Sequence, residues 1–391
     1  MRSKAMTISL LSISLVLTSP GAVAGTIPAI QNSFPNQSLP SIEMLITVPS
    51  FAIIFSVLMS SKLAQLIGAK RTVVLGLNMA LIGGIAPTFI NNYALFLGAR
   101  LLFGFGLGTF NSLAVSLIGT FFESPQKEKL IGLQSSCQGL GSAMLTYLCG
   151  VLLMLSWRAS FLVYLIMIPI MILFIRFVPD PRQAQSKPTN KVFDWQIFKN
   201  KRYLFGLALM FILLSVYCIP QIKISQIVIE RGYGNGTTAS TLLSFMQISS
   251  MIFGGLFGWL RHRLKDSLFP LSIVVFILGF LCIYEAQTMT LSAVGVIFIG
   301  AAFALFIPFL YNLVTEVLPS DFVNIGLSIL LVAANLGSFA TPYLLFGVGK
   351  VFSLSGASYT FLFGLMILVA ILVVVLVSAH QKSRTSGDIT Q

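Results

Sequence analysis

The sequence predicts an all-α membrane protein in which twelve transmembrane helices form two pseudo-symmetric six-helix bundles. The 391 residues are 56% hydrophobic and only 9% charged, and the mean hydropathy is +0.93. Soluble proteins carry about 25% charged residues because water must meet a polar surface. A chain with so few charges is expected to turn most of its surface towards lipid. One long polar segment near the midpoint separates two sets of apolar runs.

Each predicted span is an apolar run of the length that a membrane requires. A helix needs about 20 apolar residues to cross the hydrocarbon core. Twelve runs meet this requirement, at roughly residues 5–30, 42–61, 72–90, 93–119, 131–154, 158–178, 204–229, 238–260, 267–285, 289–315, 323–349 and 357–379.

The first run has a second interpretation. Arg2, Lys4 and the stretch Ala22-Val23-Ala24 imitate a secretory signal peptide with its cleavage site. However, the apolar run continues through Ile27 and Ile30, further than a usual signal core extends. Cleavage would also leave eleven spans and remove the symmetry of the halves. We therefore interpret this run as the first transmembrane helix.

The polar segment divides the chain into domains. It covers residues 180–202 and contains Pro181, Pro188 and six basic residues. We predict an N-terminal bundle over 1–179, a cytoplasmic linker over 180–202, a C-terminal bundle over 203–380 and a cytoplasmic tail over 381–391. The fifth and eleventh spans echo each other through Leu140-Gly141-Ser142 and Leu336-Gly337-Ser338. Duplicated halves of this kind are typical of membrane transporters.

The distribution of basic residues predicts the orientation. With the N-terminus in the cytoplasm, nineteen of the 24 Lys and Arg residues fall in cytoplasmic segments and three fall outside. The remaining two, Arg100 and Lys223, lie within spans. Because basic loops stay on the cytoplasmic side, this asymmetry predicts a multi-pass protein of the cell membrane with both termini in the cytoplasm.

Several classes of function are disfavoured. The net charge of +13 is explained by basic loops on one side of a membrane, so no nucleic-acid partner is expected. The four cysteines lie in apolar runs without a C-x-x-C pair, and both histidines lie in a loop or the tail, so neither a metal site nor a cofactor is predicted. No G-x-x-x-x-G-K-[ST] loop is present for nucleotide-driven pumping. A membrane enzyme is not expected either.

Three stretches carry a resemblance to a known family. The loop from Ser61 to Arg71 resembles G-x-L-A-D-R-x-G-R-K-R through Gly68, Lys70 and Arg71, although Gln65 stands where aspartate is usual. The run Arg100-Leu-Leu-Phe-Gly-Phe-Gly resembles the motif R-x-x-x-G-x-G. Trp157-Arg158 followed by Phe161 resembles W-R-x-x-F. Together with the twelve spans, these stretches resemble the major facilitator superfamily over essentially the whole chain.

The resemblance implies a secondary transporter in which the two halves rock about a central site. It implies a small-molecule substrate, a monomer in the lipid bilayer, and a proton or ion gradient as the driving force. We interpret the chain as a proton-coupled exporter of drugs or metabolites. Because the fifth span lacks the G-P-x-x-G-G motif of drug antiporters, an uptake carrier for a small nutrient, including an anionic one, stays open. A receptor or sensor that does not transport is the alternative of another class.

The resemblance also implies a gating loop. In this family the aspartate of the loop motif helps to hold the cytoplasmic gate closed, and Gln65, which replaces it here, cannot supply that charge. Gln65, Gly68, Lys70 and Arg71 are the candidate gating residues.

Polar residues within spans are costly in hydrocarbon and are therefore candidates for a site. Arg100, Gly104, Gly108 and Asn111 share one helical face, which the resemblance places towards the substrate. The alternative for Arg100 is a structural role, bonded to backbone carbonyls. The other candidates, for which hydrogen bonding between helices is the alternative, are Gln134, Gln138, Tyr217, Gln221, Gln247, Asn312 and Asn335.

The remaining charged residues lie near the ends of spans. Lys223 is predicted to snorkel towards the membrane surface. Glu43 and Glu285 are predicted to be solvated at the outer surface. Coupling of transport to protons through Glu43 together with Arg100 is a further possibility, and coupling through the ionisation of the substrate is another.

Overall fold

The computed structural model describes residues 2–123, 126–180, 198–319 and 322–387. Within those ranges all of the regular secondary structure is helical, which agrees with the predicted fold class. The helices are long because the apolar runs are long, and a transmembrane helix satisfies its own backbone hydrogen bonds inside the segment.

The described chain contains eleven single helices long and apolar enough to cross a membrane, and one bent pair that makes a twelfth span if it is counted as one. The bent pair consists of Lys4–Val16 and Pro20–Ser33, which meet at 44° and form span one. Spans two to twelve follow in chain order: Leu39–Ile67, Ala69–Thr88, Tyr93–Phe121, Lys129–Leu153, Trp157–Phe177, Lys201–Glu230, Gly236–Leu264, Leu268–Glu285, Met289–Val317, Ile325–Val351 and Ser358–Val377. The eleven single spans lie in the predicted order, and the predicted total of twelve is reached when the bent pair is counted as one span.

The connecting segments are described only in part. Most of the predicted linker, residues 181–197, lies outside the described residues, as do residues 388–391 of the predicted tail. The helix of span twelve continues to Gly387. We call spans one to six the first half and spans seven to twelve the second half.

The repeated Leu-Gly-Ser sequences of spans five and eleven make equivalent contacts in the two halves. A Cβ atom at Gly141 of span five would overlap with the backbone of Leu15 in span one. A Cβ atom at Gly337 of span eleven would likewise overlap with the backbone of Phe211 in span seven. Spans five and eleven are the fifth helices of their halves, and spans one and seven are the first. The same close helix approach is therefore built twice, which small residues make possible.

The predicted gating loop is a tight turn between spans two and three. Gly68 ends one helix and begins the next with a φ of 90°, a conformation that glycine adopts without steric cost. Lys70 donates a hydrogen bond from Nζ to the carbonyl oxygen of Ile175 at 2.9 Å, which ties the turn to the end of span six. Gln65 and Arg71 are exposed beside it.

Candidate functional site

Span one is broken in the middle, where Pro20 interrupts it. A proline has no N–H to donate, and helices bend where the hydrogen-bond ladder fails. Three consecutive carbonyls at the bend take donors from other spans. Ser142 Oγ donates to Thr18 at 3.2 Å, and Tyr164 Oη donates to Ser19 at 3.0 Å. Irregular backbone is tolerated at this depth because neighbouring helices satisfy its polar groups.

Arg100 supplies the third donor. Its Nη2 atom lies 2.9 Å from the carbonyl oxygen of Pro20, and its Nε atom lies 2.7 Å from that of Leu45 in span two. The guanidinium carbon also lies 4.8 Å from the ring centroid of Phe103, a distance at which an aromatic face attracts a cation. Arg100 is completely buried and does not border the cavity described below. In this structure its contacts are the carbonyl contacts of the alternative that the sequence analysis left open.

The helical face that contains Arg100 packs against span two. A Cβ atom at Gly104 would overlap with the backbone of Pro49, and one at Gly108 would overlap with Ser56. The resemblance implied that this face points towards the substrate. In the structure only its last member, Asn111, borders the central cavity. The glycines serve the close approach of spans two and four.

A cavity of about 700 Å³ lies between the two halves. This volume is within the range of small-molecule sites, roughly 300–1,000 Å³. Spans one, two, four and five border it from the first half, and spans seven, eight, ten and eleven border it from the second. Six of the predicted site residues meet in its wall: Asn111, Gln138, Tyr217, Gln221, Gln247 and Asn335.

Most of these side chains have hydrogen-bonding capacity to spare. Among the described residues, the amides of Asn111, Gln138, Gln221 and Gln247 have no hydrogen-bond partner in the protein. Asn335 differs, because its Nδ2 atom donates to the carbonyl oxygen of Leu331 at 2.9 Å. An amide offers both donors and acceptors, so the wall can donate hydrogen bonds to water or a polar solute and can also accept them.

One part of the wall is aromatic. The rings of Tyr217 in span seven and Phe303 in span ten stack with centroids 4.0 Å apart and an angle of 20° between their planes. Both residues border the cavity. This pair adds a flat apolar surface to a wall that is otherwise rich in amides and hydroxyls.

Four predicted site residues lie elsewhere. Besides Arg100, Gln134 is buried and its Nε2 atom has no partner among the described residues. Asn312 is half-buried, and its carbonyl accepts a hydrogen bond from Thr315 Oγ1 at 2.7 Å. Glu43 lies beyond the end of the cavity. Consequently, the described wall contains no Asp, Glu, Lys or Arg.

The cavity opens at one end of the bundle. We call this the basic end; it is where spans two and three, four and five, and eight and nine are joined. At Gly139 and Gly150, spans five and eight are so close that an added Cβ would meet Met251 or Ser240. Towards the basic end the two spans separate, because a Cβ at Gly132, Gly255 or Gly258 would meet nothing within 4 Å.

The opposite end is closed by contacts between the halves. Tyr343 Oη of span eleven lies 3.2 Å from the sulfur of Met44 in span two. Thr237 Oγ1 of span eight donates to the carbonyl oxygen of Gly150 in span five at 3.0 Å. The chain is therefore in a conformation that admits a solute from the basic end only.

The most buried closing contact corrects the sequence analysis. Lys223 Nζ of span seven lies 2.5 Å from Glu43 Oε1 of span two, and the two side chains are only 5% and 1% exposed. The predictions that Lys223 snorkels and that Glu43 is solvated are both wrong, because each charge compensates the other inside the protein. Glu285, in contrast, is exposed as predicted. No pattern within either helix identifies the partner in the other half.

Comparisons with known proteins agree with this architecture. A sequence model of the Major Facilitator Superfamily matches residues 8–342. No curated protein matches the sequence closely enough to count as a relative. Among solved structures, a mutant form of the nucleoside transporter NupG is similar with a TM-score of 0.79 and 14% identity, over 95% of this chain and 99% of that one.

Two further structures are similar to the same degree. A D-xylose-proton symporter gives a TM-score of 0.76 at 14% identity, over 94% of this chain and 97% of the symporter. The inward open conformation of the xylose transporter XylE from E. coli gives 0.73 at 14% identity, over 96% of each chain. At these identities the likeness concerns the fold.

The family match covers most of the chain, and the fold is that of solved transporters rather than of enzymes. A central cavity between the two halves that is open at one end and closed at the other is the arrangement that alternating access predicts for one of its states, and broken helices are typical of such transporters. The chain belongs to the major facilitator superfamily and is a multi-pass membrane transporter of small solutes that works by alternating access.

Proposed function

We propose that this transporter carries a small, neutral organic solute with several hydrogen-bonding groups. The observation that carries the proposal is the wall of the cavity, where amide side chains without protein partners meet and the described residues include no charged group. Such a wall can replace the hydration of hydroxyl or amide groups on a solute. An ion would lose its hydration without gaining a countercharge.

The wall also argues against the anionic nutrient that the sequence analysis left open. An anion would need a cation or a helix N-terminus in the cavity, and Arg100 is engaged with carbonyls outside it. The stacked pair of Tyr217 and Phe303 offers a flat surface to a ring. D-xylose and nucleosides, which are named for two of the structural neighbours, belong to the same broad chemical class. At 14% identity this agreement adds no weight of its own.

We further propose that transport is export in exchange for protons, by a monomer in the cell membrane with the basic end in the cytoplasm. The orientation is supported by the excess of Lys and Arg in the segments at that end. Export is supported by the size of the chain and its twelve spans, and uptake of the same solute class is the competing direction.

The test is a transport assay with purified protein in liposomes. Labelled sugars, polyols and nucleosides are compared with labelled carboxylates, each with and without a pH gradient of either sign. We expect exchange of at least one neutral solute. We also expect an imposed pH gradient to drive that solute in the direction opposite to the flow of protons. Uptake driven by co-movement with protons would instead support the importer. Exchange of carboxylates alone would overturn the proposed substrate class.

A pair of matched variants links the activity to the cavity. Gln247→Ala removes an amide from the wall, whereas Asn36→Ala removes an exposed amide at the opposite end. We expect the first to raise KM by about fivefold, as the loss of a hydrogen bond of ~1 kcal/mol implies, and the second to leave KM unchanged. Equal effects of the two variants would show that the cavity is not the binding site.

A further inference from the structure

The ion pair between Glu43 and Lys223 joins the two halves at a single buried point. Glu43 belongs to span two in the first half, and Lys223 belongs to span seven in the second. Opening the opposite end requires the halves to separate there, and this would pull the two charges apart. The other ion pair in the described structure, Arg261 with Glu316, lies within the second half, where Glu316 is exposed and Arg261 is half-buried.

The pair also lies next to the cavity, on the side of the closed end. Thr47, one helical turn after Glu43, borders the cavity, and so do Cys218 and Gln221 on the helix of Lys223. The ionic contact thus lies directly between the solute site and the closed end. A change of charge in the pair would act on the barrier that confines the solute.

A polar path connects the pair with the surface of the opposite end. Lys223 Nζ donates to Gln226 Oε1 at 3.4 Å, and Gln226 Nε2 donates to Glu230 Oε1 at 2.8 Å. Glu230 is exposed and also accepts a hydrogen bond from the backbone N–H of Ala357 at 2.9 Å. These three side chains lie on one face of span seven, by their spacing of three and four residues.

The carboxylate oxygens of Glu43 are available to bind a proton. Within the described structure neither oxygen of Glu43 makes a hydrogen bond of good geometry, so the ionic contact with Lys223 is its main compensation. Among the other titratable groups, Cys218 and Tyr359 are close enough to interact electrostatically with Glu43. Tyr93, Arg100 and Tyr343 contact neighbours of Glu43 on span two, namely Ser41, Leu45 and Met44. Acid adds a proton to a carboxylate, whereas lysine, arginine, phenol and thiol groups already carry theirs at neutral pH.

We propose that the Glu43–Lys223 ion pair is the latch that keeps the opposite end closed, and that a proton bound by Glu43 releases it. The proton comes from water at the opposite end and forms an O–H bond on the carboxyl group, which removes the attraction to Lys223. When the end is open, Lys223 faces water and keeps its charge without a partner. The role in transport rests on the proposed function, but the latch itself is a property of the unloaded protein.

The experiment measures distances between spin labels in the purified full-length protein without any solute. One pair of labels is placed at exposed residues of the opposite end, Asn36→Cys and Ser355→Cys. A second pair is placed at the basic end, Lys62→Cys and His262→Cys. Cys137 and Cys282, the two partly exposed native thiols, are replaced by alanine throughout.

In the variant Glu43→Gln we expect the population with a long distance at the opposite end to rise by about tenfold, because the latch has lost one of its charges. The distance at the basic end should shorten in the same molecules. The swapped pair Glu43→Lys with Lys223→Glu should restore the short distance at the opposite end. Glu316→Gln is the matched control and should change neither distance, because it breaks an ion pair inside one half.

The dependence on pH is measured in the spin-labelled protein that keeps Glu43, Lys223 and Glu316. Acidification from neutral pH to about pH 5, near the range where carboxyl groups titrate, should lengthen the distance at the opposite end. The same change of pH should have no effect on Glu43→Gln. If that variant does not fold, the double variant Glu43→Gln with Lys223→Gln leaves no unpaired charge and tests the same point.

Unchanged distances in the folded single or double variant would overturn the latch. A response to acid that persists in Glu43→Gln would overturn the role of the carboxyl proton. Because no solute is present, either result is separate from the outcome of the transport assay.

Discussion

Arg100 donates from Nε to the carbonyl oxygen of Leu45, at 2.7 Å. That carbonyl is free because the residue four positions later is Pro49, which has no N–H to complete the helix. Arg100 also reaches the carbonyl of Pro20, at the break in span one. One side chain of span four thus satisfies the carbonyl that Pro49 leaves free in span two and a carbonyl at the break in span one. These bonds compensate the fully buried guanidinium in part, since its Nη1 atom has no hydrogen-bond partner among the described residues.

We predict that Arg100 contributes mainly to stability. Arg100→Ala removes two charged hydrogen bonds, each worth about 1.5–3 kcal/mol, and leaves two buried carbonyls without donors. It should lower the apparent Tm in detergent and the amount of folded protein, and Arg100→Lys should lower both by less. The measurement is thermal unfolding followed by size-exclusion chromatography.

A second substitution separates this role from one in transport. Pro49→Ala returns an N–H to the helix, so Arg100→Ala should cost less stability in that background than in the native one. If Arg100→Ala is instead as stable as the native protein but does not transport, Arg100 acts on the solute or on coupling.

The close contact between Gly104 and Pro49 predicts that span four tolerates no larger residue at position 104. Gly104→Ala would place a Cβ atom in the backbone of Pro49, which cannot move aside as a flexible side chain could. We expect loss of folded protein, with a cost of about 1–3 kcal/mol or more. Gly98→Ala is the control on the same helix, since a Cβ there meets nothing within 4 Å. A Gly104→Ala protein with the yield and Tm of Gly98→Ala would contradict the close packing of these spans.

Substitutions of Tyr217 separate the contribution of its hydroxyl group from that of its aromatic ring. Tyr217→Phe keeps the stack on Phe303 but removes the hydroxyl, whereas Tyr217→Ala removes both. We expect KM to rise a few-fold in the first variant and by more than tenfold in the second, since an aromatic contact adds about 0.5–1.5 kcal/mol to its buried area. Equal KM values in the two variants would remove the stacked ring from the site.

Gln65 is predicted to matter little. It is exposed at the open basic end and carries no charge. Gln65→Ala should therefore change the transport rate only mildly, through loss of a neutral hydrogen bond of roughly 0.5–1.5 kcal/mol in the closed state. Loss of nearly all transport in folded Gln65→Ala protein would show that the amide is an essential part of the gate.

The orientation is tested by reporter fusions. A reporter placed within residues 181–197 or after Gln391 is expected in the cytoplasm, because the excess of Lys and Arg lies in the segments on that side. A reporter at Asn36 or Ser355 is expected outside. Detection of the 181–197 reporter outside the cell would reverse the orientation of the cavity.

The number and extent of the spans could be predicted because each depends on a local run of apolar residues. Span ten, predicted over 289–315, is found at Met289–Val317. The break in span one was not predicted, although Pro20 and Gly21 are visible in the sequence. Its carbonyls accept hydrogen bonds from Arg100, Ser142 and Tyr164, and these donors lie in other helices.

The site residues divide in the same way. Most of the predicted uncharged polar residues, such as Gln221 with Tyr217, lie in the cavity wall, whereas Gln134 and Asn312 do not. Arg100 and Lys223 are charged, and the position of a buried charge depends on its partner rather than on its own helix. Pro49 was the available signal for Arg100, because an internal proline leaves a carbonyl free that some donor must satisfy. For Lys223, the signal was a single acid near the same end of span two.

The bend of span one has a consequence for biosynthesis. The carbonyls of Thr18, Ser19 and Pro20 receive their donors from spans five, six and four. When span one has been synthesised, these donors have not yet been made, although the backbone N–H of Ala22 already serves Ser19 within the span. The hydrogen bonds between the bend and the other spans can therefore form only after nearly half of the chain has been translated. Its assembly is a late event, although it is the first helix to be synthesised.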